Sequence, residues 1–110
     1  MKRVLAALLL ASTTTAHAAY YSGNELYDWL SGNVQYGTLR GLFYVAGVVD
    51  TLNDDVLCLP GNVTLGQIRD VVMFELRTNP AQRHLPADVL VRAALEPIWA
   101  CKRRNNGRPT

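Results

Sequence analysis

Residues 57–72, LCLPGNVTLGQIRDVV, decide how the chain is read. They hold Cys58, a proline-glycine turn at Pro60 and Gly61, and then the start of an amphipathic helix. Thr64 precedes Gln67 by three residues, the spacing of a capping box, in which each side chain satisfies a free backbone N–H at the helix start. Val63 and Ile68 take the two positions of a hydrophobic staple. On a 3.6-residue wheel Leu65, Ile68, Val71, Val72, Met73 and Leu76 share one broad face, and Gln67, Asp70, Arg77 and Thr78 take the other. Phe74 falls on the polar side, where an aromatic either marks a contact surface for a partner or is covered by a neighbouring element. The helix ends at Asn79-Pro80, since proline disfavours helical geometry in the residue before it.

Upstream, Ser22 and Glu25 have the form of another capping box, which predicts a helix over 23–30 presenting Leu26, Trp29 and Leu30. Gly32 and Asn33 stop it. A second helix is expected over 38–52, apolar almost all round, and therefore either the centre of the core or part of a homodimer interface. Its valines suit a strand, but its length and lack of alternation favour a helix. Downstream, the connector NPAQRHLP leads to a fourth helix over 86–96, with proline tolerated in its first turn. Asp88, Arg92 and Glu96, four apart, predict a solvated charge ladder. Leu90, Ala93, Ala94 and Ile98 are expected to face inward, and Pro97 to break or kink the helix. The fold class that follows is all-α: a small four- to five-helix domain stapled by one disulfide.

The front of the chain sets the compartment. Met1, Lys2 and Arg3 precede the apolar run 4–11, and Ala16-His17-Ala18 has the small-x-small pattern of a signal peptidase site. Residues 1–18 therefore read as a cleaved signal peptide. The alternative, an uncleaved anchor, is disfavoured because a membrane span needs roughly 20 apolar residues. No other segment supplies a transmembrane span, since the run 41–49 ends at Asp50. The expected product is a soluble periplasmic protein. Its two cysteines, Cys58 and Cys101, are most simply a disulfide in an oxidising compartment. Closing a loop of about 44 residues stabilises by up to roughly 4 kcal/mol in the chain-entropy model.

Without Lys2 and Arg3, the 11 basic residues become nine against nine acidic ones. Four of those nine, Lys102, Arg103, Arg104 and Arg108, lie in residues 102–110, a composition that favours disorder and reads as a solvated tail or one that touches anionic lipid or cell wall. The body, residues 19–101, then carries five basic and nine acidic residues, so it lacks the basic patch of a nucleic-acid binder.

Residues that could do chemistry are few. Beyond residue 18 the sole histidine is His84, which suggests neither a zinc site nor a Ser-His-Asp triad. A Cys58 nucleophile with His84 as base is disfavoured, because a disulfide sulfur is not a thiolate. Asp50, Asp54 and Asp55 could pair as glycosidase carboxylates, but they fall at and after the end of a helix, where acids are commonly surface groups. No phosphate loop, calcium loop or haem attachment motif occurs. The sequence thus carries no catalytic, cofactor-binding or metal-ligating residues and reads as a binding scaffold, not an enzyme.

The order of short motifs resembles the Rap/Tai family of exported helical immunity proteins, which inhibit type VI secretion amidase effectors that cut peptidoglycan peptides. The matching residues are Gly23-Asn24 with Leu26, Gly47-Val48 with Asp50, Cys58 with Pro60, then Thr64, Gly66-Gln67, Asp70-Val71, Pro80, Arg83-His84, Pro86-Ala87, Ala94-Leu95 and Cys101. No single motif is specific; their order and spacing are. The chain departs from the family at Leu30 and Gly41, where many members carry a second cysteine pair, at Trp99-Ala100, where relatives often have Phe-Pro, and in its longer, more basic tail.

The resemblance implies a protein partner, a Cys-His amidase whose cleft is covered or entered. For the contact surface the residues expected are Arg83 and His84 of the connector with Asp70, Phe74 and Arg77 of the third helix: an aromatic beside charges, as in binding hot spots, on a connector free of obvious core duties. The rival reading is a periplasmic binding or adaptor protein of the same fold, phage or prophage encoded, with no amidase partner.

Overall fold

The computed structural model describes residues 19–102. The expected signal peptide and all of the basic tail beyond Lys102 lie outside the described residues. Four α-helices follow one another: α1 Gly23–Leu30, α2 Gly37–Leu52, α3 Leu65–Thr78 and α4 Ala87–Trp99. A short 3₁₀ turn, Pro80–Gln82, joins the last two. Among the described residues there is no β-strand, only isolated bridges, and no helix is long and apolar enough to cross a membrane. The all-α fold with one disulfide is what the sequence predicts.

Two of the helices, α1 and α3, begin on side-chain caps. The Gln67 N–H donates to Thr64 Oγ1 at 3.2 Å and the Thr64 N–H to Gln67 Oε1 at 2.7 Å, the full reciprocal box at the start of α3. At α1 the Glu25 N–H donates to Ser22 Oγ at 3.3 Å. α2 starts at Gly37, one residue earlier than expected, with Tyr36 in the left-handed region and no side-chain cap. A Cβ on Gly37 would lie 2.9 Å from Trp29 Cα, so only glycine lets α2 start against the end of α1.

One core joins all four helices and includes Leu26, Val45, Leu57, Val72, Leu76, Val91 and Leu95, each almost free of solvent contact. Tyr21 packs edge-on against Trp29 and Tyr44, with ring centroids 4.8 and 5.8 Å away. The Tyr21–Gly23 backbone is held to the start of α4 by the bonds Ala87 N–H to Tyr21 O and Gly23 N–H to Leu85 O. The disulfide Cys58–Cys101 crosses a short antiparallel contact, where the Cys58 N–H donates to Trp99 O at 2.8 Å and the Cys101 N–H to Val56 O at 3.0 Å.

Three expectations require correction. α2 buries only Gly37, Gly41, Val45 and Val49. Leu39 and Phe43 are exposed, because glycines 37 and 41 draw one narrow stripe of the helix onto α1 and turn the opposite stripe to solvent. In α4 the inward residues are Ala87, Leu90, Val91, Ala94 and Leu95, whereas Ala93 and Ile98 lie outside. Pro97 does not break that helix, which runs on to Trp99. A proline in the last turn removes one bond, to the Ala93 carbonyl, and the Ala100 N–H still reaches Glu96 O at 3.0 Å. Of the expected charge ladder only Arg92 to Glu96 closes, at 2.9 Å.

Candidate functional site

The capping box and the buried side chains Ile68, Val72 and Leu76 fix which way α3 faces. Asp70, Phe74 and Arg77, spaced four and three apart, share its outer stripe. Phe74 is 66% exposed, so no neighbouring element covers it. Arg69 reaches Asp70 Oδ1 through both Nε and Nη2, at 3.1 and 3.0 Å, in a solvent-exposed pair. The stripe presents an aromatic ring between a carboxylate and a guanidinium, all on a helix whose rotation the core sets.

The connector divides into two roles. The Arg83 Nε–H donates to Leu76 O at 2.6 Å, and its guanidinium lies 3.7 Å from the centre of the Tyr27 ring. Arg83 therefore caps the carboxyl end of α3, where helix carbonyls lack partners and a cation is favoured, and ties it to α1. The expectation that this connector is free of core duties does not hold for Arg83. His84 is exposed; its Nδ1 lies 3.1 Å from Ala81 O, and its ring borders a shallow hollow with Ala19, Tyr21, Ser22 and Pro86. Asp70, Phe74 and Arg77 thus form one surface with Arg83 beneath its end, and His84 faces the N-terminal segment instead.

Sequence reasoning missed a groove of about 560 Å³ between α2 and α4, walled by Phe43, Tyr44, Val48, Leu52 and Val89 with Asp88 and Arg92 at its edge. Burial, and then the charge of Asp88, push the Tyr44 phenol above its ordinary value. The readable signal was the apolar run of α2, which is too apolar for one face alone. As for catalysis, Cys58 is committed to its disulfide and offers no thiolate, Asp50, Asp54 and Asp55 are exposed, and among the described residues no cluster of His, Cys, Asp or Glu could hold a metal ion.

The model of a protein family described as Rap1a immunity proteins matches residues 22–101, from the cap of α1 to the second half of the disulfide. The chain belongs to the Rap1a immunity protein family. No curated protein matches it. As a Rap1a protein it has an immunity role, and its partner is a protein effector. The matched span contains all four helices, both cysteines and the outer stripe of α3.

Proposed function

We propose that this Rap1a protein is a periplasmic immunity protein that binds a peptidoglycan amidase effector of type VI secretion and occludes its cleft. The observation that carries the reading is Phe74, an exposed aromatic between Asp70 and Arg77 on a helix fixed at both ends by Thr64 and Arg83. A preorganised aromatic beside charges is the composition of a binding hot spot, because its ring buries a large apolar area on docking while little side-chain freedom is lost. Arg83 positions the surface from below, and His84, turned to the N-terminal segment, lies outside it. Inhibition on this reading needs no chemistry from the immunity protein; it excludes substrate from the amidase. Export by the signal peptide, residues 1–18, and the disulfide both fit a periplasmic site of action.

The test is inhibition of a peptidoglycan amidase effector of type VI secretion in hydrolysis of peptidoglycan peptides. Stoichiometric loss of amidase activity supports the reading, and Phe74→Ala with Arg77→Glu should relieve it. An amidase that remains fully active with the wild-type chain in excess would leave the adaptor reading in its place.

A further inference from the structure

Among the described residues two that are not glycine hold left-handed backbone, Tyr36 at φ 58° and Asp54 at φ 66°. Aspartate tolerates that region, whereas a bulky aromatic there costs the fold free energy. Tyr36 stands at the cap position of α2, where α1 and α3 place Ser22 and Thr64, and it makes no capping bond. Its ring gains nothing inside the fold either, being 74% exposed. The turn is held as it is, because Gly37 seats against Trp29 and its N–H donates to Val34 O at 2.9 Å. Strain kept at an exposed aromatic, with no gain within the chain, points to a contact made outside it.

The neighbours of the ring have the composition of a contact. Val34, on the same turn, is exposed. Arg40, one turn into α2, is exposed as well, and its guanidinium lies 5.4 Å from the centre of the Trp29 ring. Among the described residues it forms no ion pair. Stacking on Trp29 steadies the flat fork while leaving its donors open, which suits two-pronged capture of a carboxylate. We propose that Tyr36 and Arg40 are a second anchor for the effector, apart from the α3 stripe: the ring enters an apolar recess of the amidase and the guanidinium meets a carboxylate at the rim of that recess. The identity of the partner rests on the amidase reading above. Tyrosine and arginine are the types that dominate binding energy at protein interfaces, and a ring already fixed by its turn loses little freedom on docking. The backbone cost at Tyr36 is then offset only in the complex.

Thermal melts of the full chain, purified from the exported fraction, together with titration calorimetry against a type VI secretion amidase effector, test this. Tyr36→Gly and Tyr36→Asn should melt no lower than wild type, since both residues accept left-handed backbone. Both should nevertheless bind the amidase about tenfold or more weakly. Tyr36→Phe keeps the ring and should bind close to wild type. Arg40→Gln should weaken binding, and Arg40→Lys should recover little of it, because an ammonium lacks the fork. If the glycine and asparagine variants both melt lower, the ring is a structural element; if they bind as wild type does, it has no place at the interface. Either result overturns the second anchor while the amidase reading stands, and so would variants that change only the sedimentation of the free chain. A wild-type chain that binds no amidase overturns that reading, and this proposal with it.

Discussion

Arg83 holds its guanidinium 3.7 Å from the centre of the Tyr27 ring while its Nε–H donates to Leu76 O at 2.6 Å. One side chain thus closes the open end of α3 and joins it to α1. Arg83→Ala should lower stability by about 1–2 kcal/mol, from one charge-assisted bond and one cation–π contact, both partly solvated. Arg83→Lys should recover little, since an ammonium lacks the flat fork that serves both contacts. Thermal melts check this, with a fall of roughly 4–8 °C per kcal/mol expected for a domain of this size. No change in melting temperature would mean that the cap is unimportant in solution.

At the other end of α3, Thr64→Ala should cost about 1 kcal/mol. Thr64 and Gln67 exchange bonds within one box, so their effects should not add: the double alanine variant should lose less than the sum of the two. A double-mutant cycle in urea measures it, and strict additivity would count against a cooperative box.

Replacing both Cys58 and Cys101 by serine should lower stability by about 2–4 kcal/mol. The variant should still fold, because the backbone bonds Cys58 to Trp99 and Cys101 to Val56 remain available. Urea unfolding of the oxidised protein beside the serine variant gives the difference. A variant without helical signal would show that the fold depends on the covalent tie.

Burial and then Asp88 raise the Tyr44 phenol above its ordinary value. Its neutral form is therefore favoured in the folded protein. That contribution is complete below the unfolded value near pH ~10 and is lost as pH rises through the higher folded value. Stability should fall on the alkaline side of about pH 10, less steeply in Tyr44→Phe. Tyrosine absorbance near 295 nm, compared between the two proteins, should place the Tyr44 transition above those of exposed tyrosines; a transition among them would remove the effect.

How much of this was legible depended on whether a signal was local. The start of α3 was readable because Thr64 and Gln67 act on backbone groups within one turn. The orientation of α2 was not, since a helix apolar nearly all round has no preferred side until Gly37 and Gly41 meet Trp29 and Leu30. In α4 the alanines at 93 and 94 are too small to settle a face from the wheel, and contacts with the rest of the core chose Val91 and Leu95 instead. The capping role of Arg83 was invisible for the same reason: it depends on a connector folding back seven residues to Leu76. Phe74 was singled out by its place among polar residues, and its exposure follows from the burial of Ile68 and Val72 on the far side.

The central claim is that Phe74 anchors the effector, and titration calorimetry of Phe74→Ala against the cognate amidase tests it most directly. The side chain is exposed, so the variant should melt within about 0.5 kcal/mol of wild type. It should lose at least about 2 kcal/mol of binding, roughly thirtyfold in Kd. A well-folded Phe74→Ala that binds and inhibits the amidase as wild type does would contradict the account.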